Sequence, residues 1–356
     1  MANTKQPLRG RGAQSSQSSG FLKHRYSTES DDGIDEQWEL NARTVYLTEN
    51  ARKIVNKLKS PDVGGRLSMN PYQGCEHGCV YCYARNSHEY YGFSAGIDFE
   101  SKILHKPNAD NLLRAFLEKR GYEPEPIMLA GNTDCYQPAE KKLGLTRKLL
   151  QVLLEYRHPV SIITKNALII RDLDLLQELA SLQLVHVNIS ITTLNEELKR
   201  NLEPRTSSGL KRVDTIRRLS EAGIPVRVMA APMIPFLNSQ ELPAILQAAA
   251  EAGARDAVYL MVRLNGAVGP IFEEWIRLHY PDLADRVLEQ IHTAHGGKLS
   301  DSRFGTRMKG EGHFAESLAD LFRTCKNSYF RDRSMPEYRT DVFQIPQNPF
   351  GQLRLF

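Results

Sequence analysis

Three thiols lie within one eight-residue stretch, Cys75-Glu76-His77-Gly78-Cys79-Val80-Tyr81-Cys82, at spacings of four and three residues. Thiolates so closely spaced can wrap a metal centre. A [4Fe–4S] cluster held by only three cysteines leaves one iron open to a substrate or cofactor. Gly74 and Gly78 would let the backbone fold tightly round such a group. A structural zinc site is the competing reading, but it wants about four ligands in paired short spacings. The fourth would have to be His77, crowded between two of the cysteines, or the distant Cys135 or Cys325. Five cysteines, an odd number in a chain without an export signal, favour reduced thiols over a disulfide framework.

The elements that must position this loop follow from the apolar patterning. From Arg66 onward, short apolar runs alternate with amphipathic helical segments, the signal for a parallel α/β architecture. Six strands are expected at Arg66–Met69, Pro126–Ala130, Val160–Thr164, Leu184–Ile191, Val226–Ala231 and Asp256–Val262. Helices are expected between them at Asn108–Arg120, Glu140–Tyr156, Arg171–Ser181, Leu210–Ala222 and Ser239–Ala252. In the fourth helix Leu210, Val213, Ile216, Leu219 and Ala222 share a face and Gly223 is the stop. In such folds the loops after the C-terminal ends of the strands meet at one edge, where ligands bind. The cysteines follow the first strand, and Asn132-Thr133-Asp134, Lys165-Asn166 and Thr192-Thr193 follow the next three.

The fold class expected is therefore α/β, a partial (β/α)6 TIM-type barrel over residues 60–265. A helical C-terminal extension over 266–328 and an irregular tail over 329–356 complete it. Residues 1–45 contain few core formers and segregate basic from acidic charge, so a disordered N-terminal tail is expected there. A short helix is expected at Asn50–Lys59.

Charge and hydropathy exclude some classes. A net charge of +4 permits a polyanionic partner without demanding one. No apolar run approaches the roughly 20 residues of a membrane span. The polar N-terminus lacks the apolar core of a secretory signal, so a cytoplasmic location without membrane contact is expected.

The C-x3-C-x2-C spacing with Tyr81 before the third cysteine resembles the signature of the radical S-adenosylmethionine (radical SAM) enzymes. That resemblance implies a [4Fe–4S] cluster on Cys75, Cys79 and Cys82. It also implies S-adenosyl-L-methionine bound at the open iron and cleaved reductively to methionine and a 5′-deoxyadenosyl radical. Flanking segments are similar to the spore photoproduct lyase group, which repairs a thymine dimer in DNA. Tyr81 and Tyr83 match its tyrosines, and Thr164-Lys165, Ser190, Glu203-Pro204-Arg205-Thr206-Ser207 and Ala231-Pro232 match further motifs. The similarity implies cofactor-binding roles for Tyr81, Tyr83, Lys165 and Ser190, with Tyr81 beside the adenine and Lys165 on the cofactor carboxylate. That group places a hydrogen-donating cysteine before a Thr-Ser-Asp, whereas this chain has Gly131-Asn132-Thr133-Asp134 with Cys135 after the acid. Cys135 is the candidate alternative donor, and a buried inert thiol is the competing reading.

The whole chain most resembles a bacterial branch, the PA0069-like radical SAM proteins. Arg9-Gly10-Arg11-Gly12, Tyr81-Cys82-Tyr83-Ala84-Arg85, and Asp301-Ser302-Arg303-Phe304-Gly305 carry that resemblance. The function expected is a radical SAM enzyme acting on DNA or a nucleic-acid lesion, supplied with electrons by a flavodoxin or ferredoxin. Modification of a peptide, protein or metabolite is the rival chemistry, and a non-catalytic metal-stabilised DNA adaptor the rival of another class. The pentapeptide Gln352–Phe356 resembles the peptides that dock on the bacterial sliding clamp, a Gln for hydrogen bonds and a Leu-Phe pair for an apolar pocket.

Overall fold

The computed structural model describes residues 8–16, 43–62 and 65–346. Among them are ten strands: β1 (Val45–Thr48), β2 (Val55–Lys57), β3 (Leu67–Met69), β4 (Tyr72–Gln73), β5 (Lys102–His105), β6 (Ile127–Leu129), β7 (Val160–Thr164), β8 (Val185–Ser190), β9 (Val226–Met233) and β10 (Asp256–Met261). Seven of them form one sheet in the order β10-β9-β8-β7-β6-β3-β2. All its pairings are parallel except β2 with β3. The result is an α/β fold with an open, barrel-like parallel sheet and helical decoration.

The parallel strands form because their residues can be buried on both faces. β8 is Val-His-Val-Asn-Ile-Ser with only His186 partly exposed, as strands flanked by helices require. Leu113, Leu149, Ile216 and Leu246 from the helices are fully buried against Ile162, Val187 and Val228, each such side chain contributing roughly 1.5–3 kcal/mol. The expected helix Glu140–Tyr156 is split at Gly144, whose φ is +63°, into Glu140–Leu143 and Leu145–Glu155. In Gly209–Glu221, Val213, Ile216 and Leu219 face the core as expected, but Leu210 in the first turn is exposed.

Three other expectations need correction. The helix expected at Asn50–Lys59 is absent, because Val55–Lys57 pairs antiparallel with β3, Val55 opposite Met69. A free sheet edge outcompetes the weak propensity of a short helix. A second sheet, β1-β5-β4, was not expected. Finally, residues 8–16 of the supposed disordered tail are packed, with Arg11, Gly12 and Ala13 buried. Ala13 sits among Ala95, Ile97 and Ile271. The other described part of the supposed tail, 43–45, leads into β1.

Helices Val268–His279, Pro281–Ala294 and His313–Tyr329 follow β10. The run after Phe330 lacks regular structure yet crosses the N-terminal ends of the strands. Tyr338 donates to the Val160 carbonyl at 3.3 Å, and Arg339 N to that of Gln183 at 3.2 Å. At the open side of the sheet, the stretch 301–310 joins the two edge strands. Met261 N, at the end of β10, donates to Met308 O at 2.9 Å, while Arg307 reaches Asp62 and Ser60 just beyond β2. Gln352–Phe356 lies outside the described residues. Among the described residues no helix is long and apolar enough to cross a membrane.

Candidate active site at the cysteine loop

The cysteine loop follows β3 and the two-residue β4 at the C-terminal edge of the sheet and is fixed by its backbone. Cys75 N donates to Phe99 O at 2.8 Å, and Val80 N to Leu202 O at 3.2 Å. The Gln137 amide grips Glu76 N at 2.9 Å and Gly74 O at 3.0 Å. Arg85, fully buried, donates from Nε to the Cys79 carbonyl at 3.0 Å. Gly74 and Gly78 both adopt positive φ, and a Cβ at Gly74 would stand 2.8 Å from the Lys102 carbonyl oxygen. Any side chain there would displace the loop.

Cys75 and Cys79 are buried and Cys82 is half-buried, packing against both of the apolar patches that hold the other two. Burial pushes all three thiols up from their usual pKa, and the Cys75 thiol is pushed further by Asp134 and then by Cys79 and Cys82. Lys165 opposes the rise at Cys79 and Cys82. Among the described residues no three His, Cys, Asp or Glu side chains are gathered as tightly as a bound ion requires. The donor set nonetheless fits a soft iron–sulfur group: three neighbouring thiols, a cation beside two of them, and a backbone held from all sides.

Lys165 and Asn166 follow β7 and Thr192 follows β8, so the polar clusters converge on the same edge. Lys165 Nζ lies 5.8 Å from the centre of the Tyr81 ring and has no carboxylate partner among the described residues. The Tyr81 hydroxyl donates to Glu203 and lies 3.2 Å from Thr192 Oγ1. Glu203 and Arg212 form a buried ion pair. Burial disfavours the Glu203 charge, but Arg212 and then Lys165 hold its carboxyl down at about 2. Arg212 also donates to the Ser190 carbonyl at 3.0 Å, and Ser190 Oγ to Ala231 O at 3.1 Å. Tyr81, Lys165 and Ser190 thus share one network.

A second network joins the loop to β6 and β7. Asp134 accepts from Thr164 Oγ1, Lys165 N and Tyr136 N, each at 2.8 Å, and lies 3.4 Å from His77 Nδ1. Burial would raise its pKa, but His77 and these N–H donors hold it below the carboxylate range. Tyr83 stands apart from both networks, partly exposed, with its hydroxyl donating to Gly131 O and the Arg263 guanidinium 5.8 Å from its ring.

Cys135 is not brought to the loop. Its side chain is fully buried in the main core, and its carbonyl accepts from Thr146 Oγ1 at 2.6 Å. This placement favours packing over hydrogen donation. Cys135→Ala is expected to cost about 1–2 kcal/mol in a urea titration and to leave cofactor cleavage intact. Loss of turnover with unchanged stability would reverse that assignment.

The supporting pairs are what sequence reasoning missed: Glu203 with Arg212, Asp134 with His77, and Glu100 with Arg85, although Asp134 and His77 each stand out singly in the sequence. Glu203 and Arg85 stand inside recognised motifs, but only their contacts give them roles. Glu100 is fully buried and paired with Arg85. Its two carboxylate oxygens accept from Ala13 N at 2.8 Å and Gly12 N at 3.1 Å, so it also holds residues 8–16.

Comparison with solved structures places this fold beside spore photoproduct lyase. The structure of that enzyme complexed with dinucleoside spore photoproduct superposes with a TM-score of 0.61 at 17% identity, covering 85% of each chain. An uncharacterized protein of Mycobacterium tuberculosis is 34% identical over 226 residues, 63% of this chain and 66% of that protein. The match thus spans just under two thirds of that relative. An uncharacterized protein of Methanocaldococcus jannaschii is 29% identical over 243 residues, 68% of this chain and 86% of that protein. The family model of the radical SAM superfamily matches residues 69–249, from the end of β3 through the cysteine loop to β9 and the helix after it. A match over half of the chain, on the sheet and loop described above, makes this protein a member of the radical SAM superfamily.

Proposed function

We propose that Cys75, Cys79 and Cys82 hold a [4Fe–4S] cluster and that the enzyme acts on a nucleic acid. The observation that carries the cluster assignment is the loop of three largely buried thiols at the sheet edge, with Lys165 over the Tyr81 ring between two of them in sequence. When bound, the cluster supplies an electron to S-adenosyl-L-methionine, whose cleavage yields a radical able to remove hydrogen from unactivated C–H bonds. The chain's own tasks are binding, orientation and exclusion of water.

Lys165, which has no carboxylate within ion-pair distance among the described residues and acts on Glu203 only from further off, would neutralise the cofactor carboxylate. Tyr81, pinned by Glu203 and Thr192, would present its ring and backbone to the adenine, and Ser190 would steady the end of β8 beside it. Lys165→Ala is expected to raise the KM for S-adenosyl-L-methionine about tenfold or more, the loss of one charge-assisted contact. An unchanged KM would remove Lys165 from cofactor binding.

The nucleic-acid assignment is supported by a row of alternating aromatic and cationic side chains leading away from the loop. Arg263 lies against Tyr83, and Arg307, near Arg263, lies 4.5 Å from the centre of the exposed Phe304 ring. Exposed rings for stacking and the Arg263 guanidinium for a phosphate, with Arg307 itself held by Asp62, suit a polynucleotide. The PA0069-like branch is the proposed placement within the superfamily, a flavodoxin or ferredoxin the proposed electron source, and Gln352–Phe356 a proposed clamp-docking peptide.

The test is anaerobic turnover with deuterated DNA, RNA and peptide substrates. Deuterium recovered in 5′-deoxyadenosine from a nucleic acid, and its reduction in Arg263→Ala, is the expected result. Recovery only from peptide would overturn the substrate class, and zinc in place of iron would overturn the cluster.

A further inference from the structure

Residues 8–16 lie directly on the cysteine loop, and their contacts are specific. Gly12 is pressed so closely on the loop that a Cβ there would stand 1.8 Å from the Gly78 carbonyl oxygen and 2.9 Å from Val80 Cγ1. A Cβ at Gly96 would stand 2.1 Å from the Ser15 carbonyl oxygen. Backbone therefore packs on backbone at two points, and only glycine permits it. The polar contacts are equally directed. Gly12 N and Ala13 N donate to the buried Glu100 carboxylate, and Arg11 Nη1 donates to the Glu100 carbonyl at 2.6 Å. Ser15 Oγ donates to Glu274 at 2.6 Å, and Arg205 Nε to Gly10 O at 3.1 Å.

Glu100 passes this contact on to the thiol loop. Its carboxylate holds Arg85, whose Nε binds the Cys79 carbonyl and whose Nη1 binds the carbonyls of Ala95 and Gly96, each at 3.1 Å. Without residues 8–16 the carboxylate would lose two N–H donors, and solvent would replace them. Arg85 would then be held less firmly, and Gly78 would be uncovered between two of the cysteines.

We propose that Leu8–Ser16 is a built-in strap over the cluster site, which fixes the Cys75–Cys82 loop through Glu100 and Arg85 and shields it from solvent and oxygen. This rests on the assignment of Cys75, Cys79 and Cys82 as the cluster's ligands. The strap touches no reacting atom. It is a positioning segment, and Gly12 of the Arg-Gly-Arg-Gly motif lets it lie flat on the loop.

The test compares the full chain, Gly12→Val, a chain beginning at residue 17 and a control lacking only residues 1–7. All are reconstituted anaerobically with iron and sulfide, and iron per chain, the rate at which visible absorption bleaches in air, and circular dichroism are recorded. Bleaching is expected to be at least about tenfold faster in Gly12→Val and in the chain beginning at residue 17, with the dichroism spectrum unchanged and the control like the full chain. Equal bleaching in folded variants would overturn the proposal. Hydrogen exchange on the metal-free proteins gives a second readout, which holds even if one variant loads no iron. Faster exchange at residues 75–82 on loss of the strap is expected, and unchanged exchange there would also overturn it. Should the full chain itself bind no iron, the cluster assignment fails, and the exchange comparison still judges the strap.

Discussion

Replacing Cys79 by alanine is expected to take the anaerobically reconstituted protein from about four irons per chain to well below one, and to abolish 5′-deoxyadenosine formation. Cys75→Ala and Cys82→Ala should do the same. A cluster held by three thiolates cannot spare one, and the other ring donor of the loop, His77, is turned to Asp134 and Asn166. The loop itself should survive, because Arg85, Gln137 and Phe99 hold its backbone rather than its thiols. Cys325→Ala, in the helix His313–Tyr329 and apart from the loop, is the internal control and should keep its iron. Iron absorption retained in Cys79→Ala would sink the cluster assignment, whatever the activity.

The second large effect is expected at the Glu203–Arg212 pair. Both side chains are buried, so Glu203→Ala leaves a guanidinium in the interior with its main counter-charge gone. Breaking such a pair costs about 3–5 kcal/mol. A urea titration should show that loss, and the double variant Glu203→Ala/Arg212→Met should recover part of it, since the lone charge rather than the missing pair is the penalty. A single variant within about 0.5 kcal/mol of the parent would refute the ion pair's role. The pH dependence follows from the sign of the shift. The folded carboxyl titrates at about 2 against an ordinary 4.5. Its stabilising contribution is therefore complete above the ordinary value and is lost as pH falls from there towards 2. Because Glu203 also anchors Tyr81, Glu203→Gln should raise the KM for S-adenosyl-L-methionine more than it lowers kcat.

The parallel strands β3 and β6 to β10 are legible in the sequence because each is a short apolar run with one face fully buried and the other largely covered, and β7 falls on its expected residues, Val160–Thr164. The ligand edge is legible for the same reason. Once the strands are placed, Cys75–Cys82, Asp134, Lys165 and Thr192 must follow their C-terminal ends. What pattern does not carry is contact between distant residues of unlike type. Gly12 and Glu100 are 88 positions apart, and nothing in Arg9–Gly12 has an apolar period to announce a packed segment. Val55–Lys57 misleads in the opposite sense, since its neighbours have helical spacing and only the vacant edge of β3 makes it a strand. Cys135 shows a third limit. Its flanking Asp134 suggests chemistry, and only the folded chain reveals that the thiol is buried in the main core.

The join between β2 and β10 has a mechanical consequence. Those two edges are not zipped by a ladder of backbone hydrogen bonds. Between them stand the Arg307–Asp62 pair, the Gly305 N to Asp62 contact at 2.7 Å and the Met261–Met308 bond. A seam of this kind can part at the expense of a few polar contacts while every strand pairing stays whole. It is the place where the wall would yield first to a long polymer arriving from the side, and because its ion pair is largely buried, added salt would do little to loosen it.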